Sequence, residues 1–382
     1  MNVWIQNPFD NLPLEGFRKQ RYWLMAEAFV RAGHSVVLWT SDFNHTTKSP
    51  RQIGKLLEDE CLEVRLVPTR PYSTNVGVAR IVSHWDYANA WTRLAGKEGQ
   101  RRRPDLIVTS TPTLSGASAA LRLGRQFGAR VVVDVMDAWP ETFERLAPWG
   151  LRGLARLALV GFRCQARRIY READNVTGVC DRYRELTGRD DFYRAYHGID
   201  LSGRCPLVGR TASLDGLRLA YVGNLGRTYD LGTVIRGVKE LGARLEIAGK
   251  GPCEGQWHAL VKELGLEDSV TFHGYLSENA LADLLASCDM GVVPMPAESF
   301  VGVPYKFADY AAAGLPVVSS LGGESEALLL RHRCGAGYVA GDSLSFVAAV
   351  RHVRAIGVGD VKGLREVFDA VRIYDAYVAH VV

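Results

Sequence analysis

Lys306 and Asp309 stand three residues apart in the run Val303-Pro304-Tyr305-Lys306-Phe307-Ala308-Asp309. On a helix that spacing brings both side chains onto one face, so a cation and a carboxylate would project together near the helix start. Pro304 suits the first turn of such a helix, where its missing N–H goes unused. Gly302, next to Val303, permits a close backbone approach, and Gly314 terminates the helix before the apolar run Pro316 to Ser319. The positive end of a helix attracts a diphosphate by about 0.3–1 kcal/mol per favourable charge. Lys306 would add a full cation, while Asp309 could accept hydrogen bonds from a diol such as ribose. The alternative is an Asp309 that merely complements the helix dipole and a Lys306 that faces solvent.

Three turns could share that work. Gly223-Asn224-Leu225-Gly226-Arg227, Ala248-Gly249-Lys250-Gly251-Pro252 and His273-Gly274-Tyr275-Leu276 each follow a strand-like run. Glycine there lets backbone N–H groups close on an anion at a helix amino terminus. Taken singly, each is as well explained as a tight turn, since none completes GxGxxG or a GKS/T phosphate loop. Three successive strand ends together read as one ligand-binding edge. There is no compact DxD motif and no His/Cys ligand cluster, so neither a metal nor a resident cofactor is expected.

The elements that must position these residues alternate along the whole chain. Val3 to Ile5, Val36 to Trp39, Leu106 to Val108 and Val131 to Val133 read as buried strands, and a helical pattern runs from Tyr22 to Val30. The alternation lapses at Ile199 to Gly216 and restarts with strand Leu217 to Val222. Strands Arg244 to Ala248, Val270 to Phe272 and Met290 to Val293 follow, between helices near Val234 to Leu241, Trp257 to Leu264 and Leu281 to Leu285. Short β-rich runs separated by amphipathic helices imply parallel sheets covered on both faces. The fold class expected is α/β, with two Rossmann-like doubly wound domains, 1–204 and 205–370, facing a central cleft. In such sheets ligands bind beyond the strands' carboxyl ends. The basic run Lys97 to Arg103 reads as a solvated loop. With 382 residues, a net charge of +4 and 47% apolar residues, the chain is a globular protein of about two domains. No span reaches the roughly 18 apolar residues of a membrane crossing, and the start resembles no secretory signal. Seven scattered cysteines without CxxC fit a reducing cytoplasm.

GNLG (223–226), AGKGP (248–252), HGYLS (273–277) and VPYKFADYAAAGLPVVSS (303–320), in that order, resemble a GT-B-fold glycosyltransferase of family 4. The likeness is narrower to its bacterial polysaccharide and lipid-linked-glycan branch. Glu15-Gly16, PYSTNVGVAR (71–80), Asp137 to Glu141 and His197 to Asp200 extend it over the amino-terminal half. The resemblance implies that Asp309 binds the donor ribose as the second acid of the family's E-x7-E motif. The first acid falls on Val301, and Glu298 lies out of register, so backbone N–H groups around Val301 to Val303 would meet the sugar. Donor binding is thus expected at Gly16, Gly223, Asn224, Arg227, Lys250, Tyr275, Leu276, Gly302, Val303, Lys306 and Asp309. Arg227 and Lys306 would stabilise the leaving diphosphate without a metal. Met136 stands where relatives place a histidine, beside Asp137, which would orient the acceptor hydroxyl or brace its loop. Trp139 would stack on a sugar, and His45 is a further acceptor contact unless it is structural. The segment 371–382 is expected to cross back and pack on the amino-terminal domain.

On a helix over 151–171, Arg152, Arg156, Arg163, Arg167 and Arg171 would share one side, with Leu151, Leu154, Leu157, Phe162 and Ile169 mostly on the other. That helix would lie on an anionic membrane or face the core with a solvated arginine side. Arg18, Lys19 and Arg21 add charge suited to a lipid-diphosphate acceptor, and no nucleic-acid motif accompanies it. The expected function is hexosyl transfer from a nucleotide-diphosphate sugar, a UDP-sugar foremost, to a glycan or lipid-linked acceptor, retaining and metal-independent. Its place would be the cytoplasm, at the inner membrane face, as a peripheral protein of polysaccharide and cell-envelope synthesis. The alternatives are a non-hydrolysing nucleotide-sugar 2-epimerase of the same architecture and a non-catalytic scaffold that binds nucleotide sugars or membrane.

Overall fold

Runs of β-branched residues, buried on both faces, build the two sheets of this chain. The computed structural model describes residues 1–51, 61–74, 77–147, 149–202, 216–357 and 359–382. It divides into one unit of Met1–Asp200 with Ala370–Val382 and another of Leu201–Asp369. The expected 204/205 boundary falls within 203–215, outside the described residues.

The first unit holds β1 (Asn2–Gln6), β2 (Ser35–Ser41), β3 (Phe43–Asn44), β4 (Ser49–Pro50), β5 (Leu62–Val67), β6 (Leu106–Thr111), β7 (Arg130–Val135), β8 (Asn175–Gly178) and β9 (Tyr193–Arg194). Seven of them form a parallel sheet in the order β5-β2-β1-β6-β7-β8-β9, while β3 and β4 make a small antiparallel ribbon. Val3 pairs with Val36 on one side and Leu106 on the other, so the strand order reverses between β1 and β6. The crevice beyond such a reversal is where doubly wound sheets bind ligands.

A buried ion pair pins this sheet to its helices. Arg21, on the helix Arg21–Arg31, donates from Nε and Nη2 to Asp134 of β7 at 2.7 and 2.8 Å. Tyr22 and Thr177 hydroxyls also donate to that carboxylate, each at 2.7 Å, and Arg21 Nη1 caps the carbonyls of Ala195 and Tyr196. Burial opposes the charge on Asp134, but Arg21 and these donors hold its carboxyl below the usual range. Arg21 is therefore a structural residue and not the acceptor-facing cation the sequence suggested, and Lys19 is engaged by Glu27 and Asp200. The helix Ala370–Val381 belongs to the same unit. Its Tyr374 hydroxyl accepts from Gly198 N at 3.1 Å, and Asp375 pairs with Arg31 at 2.6 Å. Gly198 has to lack a side chain, because a Cβ would stand 2.7 Å from Ala370 Cα.

The second unit holds β10 (Arg218–Val222), β11 (Arg244–Ala248), β12 (Val270–Gly274), β13 (Met290–Val293), β14 (Val317–Ser319) and β15 (Gly335–Gly337), all parallel, ordered β12-β11-β10-β13-β14-β15. Its reversal lies between β10 and β13. Leu219, Ile247 and Val292 pack there against Val234, Phe346 and Val350 of the covering helices.

Two surface expectations need correction. Lys97 to Arg101 close the helix Val78–Arg101 and are not loop, because the buried stripe of Tyr87, Ala88, Trp91 and Ala95 carries the helix on through them. The basic segment forms a short turn, Trp149–Leu151, and two helices, Arg152–Ala158 and Val160–Glu172, that meet at Leu159. Glu144, from the helix Glu141–Leu146, pairs with Arg156 at 2.7 Å and with Arg163, so these arginines already have a carboxylate. Ala166, Ile169 and Tyr170 anchor the second helix. On the first, Leu154 and Leu157 are 66% and 71% exposed, which removes the core-facing alternative there. Among the described residues, no helix is long and apolar enough to cross a membrane.

Candidate functional site

The three glycine turns of the second unit fit together as one rim at the carboxyl ends of β10, β11 and β12. Gly223 N donates to Ala248 O at 2.9 Å, Leu225 N to Lys250 O at 3.0 Å and Gly249 N to Gly274 O at 2.7 Å. Glycine is required where they cross: at Gly249, with φ 150°, a Cβ would stand 1.8 Å from Gly223 O. At Gly251 a Cβ would come within 2.4 Å of Asn224 Oδ1. The turns thus present backbone at the surface, and Asn224, Arg227 and Tyr275 are exposed along them. The stem of Lys250 passes Gly274, where a Cβ would meet its Cε at 3.1 Å. Leu276 is half-buried beside it.

The helix Tyr305–Ala312 is aimed at that rim by its own side chains. Pro304 is its N-cap, one step ahead of the first helical residue. Tyr310 accepts from Val222 N at 2.9 Å and donates to Val292 O at 3.1 Å, bridging β10 and β13 at the reversal. Ser325 Oγ donates to Gly302 O at 2.5 Å, fixing the preceding loop, in which Gly302 and Val303 are buried.

Held this way, Lys306 points into the first turn. Its Nζ lies 3.7 Å from the Tyr229 ring centre, 4.6 Å from that of Tyr221 and 3.5 Å from the Tyr221 hydroxyl. A Cβ on Gly223 would sit 3.1 Å from its Cε. Lys306 is only 5% exposed, which removes the solvent-facing alternative. Burial drives its ammonium down to about 7, against a smaller upward pull from Asp309. The full cation expected from the sequence is therefore half-titrated at neutral pH, and an anion arriving at Gly223 would recharge it. Asp309 is buried one turn further along the helix. Tyr221, Tyr229 and Tyr310, which cage the lysine and steer its helix, escaped sequence reasoning. A tyrosine at a strand end, just before a glycine turn, was the available signal.

In the first unit the loops after the strands gather a second group of side chains. Gly16 is exposed, at φ 79°, behind a short turn whose Glu15 is held by Arg51. Asp137 lies two residues beyond β7 and accepts from Thr142 Oγ1 at 3.5 Å. Burial raises its carboxyl pKa, with Arg80 among the groups opposing the rise. Trp139 has its ring enclosed by Phe143 at 4.3 Å, His84 at 5.6 Å and the Arg80 guanidinium at 4.9 Å, centre to centre. It is a wall residue with little face for sugar stacking. His45 is hydrogen-bonded to Tyr72 and packs edge-on to Phe9 at 5.2 Å. Burial, with Lys48 and Arg80 nearby, pushes its imidazole down to about 3, so it is neutral. Tyr72 and Arg80 lie in the run 71–80 but were given no role there, and Phe9 and His84 were not singled out, because these residues come from separate segments with no common spacing. Among the described residues, no three His, Cys, Asp or Glu side chains gather as metal ligands would.

Residues 216–355 match the family model described as glycosyl transferases group 1, and residues 20–197 match the glycosyl transferase 4-like domain. A comparison with curated protein sequences finds no match. Among solved structures the chain is similar to sucrose-phosphate synthase from Thermosynechococcus elongatus, at 15% identity and TM-score 0.77, over 99% of this chain and 97% of that one. It is also similar to Alr3699/HepE of Anabaena in complex with UDP and glucose, at 15% identity and TM-score 0.66, over 99% and 98%. A third likeness, at 13% identity and TM-score 0.65 over 100% and 99%, is to the lipopolysaccharide outer core galactosyltransferase WaaB.

Proposed function

As the chain belongs to the group 1, GT4-like glycosyltransferases of GT-B fold, we propose that it moves a hexosyl group from a UDP-sugar to a glycan or lipid-linked acceptor. The observation that carries the reading is Lys306, caged by Tyr221 and Tyr229 and turned onto Gly223 at the end of the strand-end rim. A diphosphate seated on the rim would meet backbone N–H groups, the amino terminus of the Tyr305–Ala312 helix and a lysine that gains its proton there. Those donors stabilise the charge that grows on the leaving diphosphate, which is the main electrostatic demand of glycosyl transfer. Arg227, exposed on the same rim, supplies a second cation, and Asp309 takes the ribose hydroxyls. We assign acceptor orientation to Asp137 in the first unit, with retention of configuration and no metal requirement.

The base remains uridine by analogy, since the HepE structure is in complex with UDP. The exposed Leu154 and Leu157 support a peripheral contact with a membrane face. Calorimetry with UDP, GDP and dTDP tests the donor reading: UDP binding with a preference over the other two supports it, and no binding of any of them refutes it.

A further inference from the structure

Two helices on the flank of the first sheet leave a groove between them that the donor reading does not use. The helix Leu114–Phe127 follows β6, and the helix Val160–Glu172 precedes β8. Gln165 of the second donates to Ser118 Oγ of the first at 3.1 Å, and Arg125 bridges to Glu172 at 3.2 Å. These contacts lie seven residues apart on each helix, so the pair runs parallel and in step, with about 10 Å between one contact and the next. The space they bound is a groove of about 530 Å³, within the roughly 300–1,000 Å³ of small-molecule sites.

The groove has an apolar floor and a cationic rim. Leu121 and Ile169 line it and are buried, while Arg122, Arg125, Arg168 and Cys164 line it and are exposed. Glu172 is the only acid on the two helices. Arg125 and Arg168 both bridge to it, so one carboxylate serves two guanidiniums. Among the described residues Arg122 has no carboxylate partner. It stands three residues before Arg125, a spacing that crowds like charges on a helix. An aliphatic body would take the floor out of water, and guanidinium forks accept a phosphate or carboxylate in bidentate fashion. The contacts closing both ends favour a compact ligand over a peptide laid along the groove.

We propose that this groove is a second ligand site, one that binds a compact aliphatic anion, an alkyl phosphate or an alkyl carboxylate. Leu121 and Ile169 receive the alkyl body, and Arg122, with Arg125 and Arg168 beside it, receives the head. The site lies wholly on the first unit and does not depend on the donor reading.

The experiment titrates the full chain with octyl phosphate and octanoate below micelle-forming concentrations, with 1-octanol and inorganic phosphate as controls. Affinity is read by saturation-transfer NMR and by calorimetry, and location by the alkylation rate of Cys164 in peptide mass spectrometry. Cys61, exposed just ahead of β5 at the edge of the same sheet, is the internal reference. At least one of the two anions should bind roughly tenfold or more tightly than octanol and than inorganic phosphate, as one charge-assisted hydrogen bond warrants. At saturation it should slow alkylation of Cys164 severalfold and leave Cys61 unchanged. The ratio between the two anions separates a phosphate head from a carboxylate head. Arg122→Gln and Arg168→Gln, both exposed changes, should each remove most of the anion's advantage. No binding of either anion, octanol or inorganic phosphate binding as tightly, Cys164 unprotected by a bound anion, or an advantage that survives in both variants would each overturn the proposal. UDP affinity enters none of these outcomes, so the donor reading is tested separately.

Discussion

Lys306→Met should do two opposite things at once. At about 1.4 kcal/mol per pH unit, lowering the ammonium from 10.5 to about 7 places roughly 5 kcal/mol on the charged form. A methionine of similar length carries no charge and removes that burden. The ligand-free variant should therefore be more stable than wild type near pH 6, by up to about 5 kcal/mol. The pH dependence has a definite sign. Between about 7 and 10.5 the unfolded chain keeps this proton and the folded chain has lost it, so wild-type stability rises with pH through that window. Below about 7 both states are charged and the burden is fully present. Lys306→Met should lack the rise. Donor binding should respond inversely: UDP-glucose, whose diphosphate does not titrate here, must bring the proton back, so its affinity should fall as pH climbs above about 7, by at most tenfold per unit. Thermal melts and calorimetry at about pH 6 and pH 9 measure both. An affinity flat across that range, or wild-type affinity in the methionine variant, refutes the placement of Lys306 on the diphosphate.

Other perturbations test separate parts of the structure. Asp309→Ala should weaken nucleotide binding by about 1–3 kcal/mol through lost charge-assisted hydrogen bonds, read by calorimetry on a folded variant. Gly249→Ala drives a Cβ into Gly223 O at 1.8 Å, so it should lower both melting temperature and UDP affinity, whereas exposed Gly255→Ala should change neither. Arg21→Ala strands the buried Asp134 carboxylate and should cost about 3–5 kcal/mol, seen in urea unfolding. Leu154→Glu with Leu157→Glu should abolish sedimentation with anionic vesicles while leaving the unfolding free energy within about 1 kcal/mol of wild type.

Local chemistry was legible in the sequence where one short stretch carried it. The strand-end glycines, the Lys306 and Asp309 spacing and the alternation of strands with helices all lie within windows of a few residues, and each reappears in the structure as a rim, a shared face and a parallel sheet. Partners distant in sequence were not legible. Arg21 read as a spare cation because Asp134 lies on a strand far along the chain, and Arg163 read as part of a free basic stripe because Glu144 sits on a separate, earlier helix. The cage around Lys306 depends on Tyr229, which the fold brings back over the turn it follows. The helix ending at Arg101 looked like loop because its charges masked a buried stripe on the other side. The cluster of Phe9, Tyr72, Arg80 and His84 was legible only in part, through the run 71–80 that holds Tyr72 and Arg80, since parallel sheets gather their strand-end loops from far-apart segments.

The most direct measurement is a crystal structure of the chain soaked with UDP-glucose. The account predicts a diphosphate against the Gly223–Asn224 backbone, within hydrogen-bond reach of Lys306 Nζ, and ribose hydroxyls on Asp309. Nucleotide bound elsewhere, or bound with Lys306 still folded onto Tyr229 and out of contact, would contradict it.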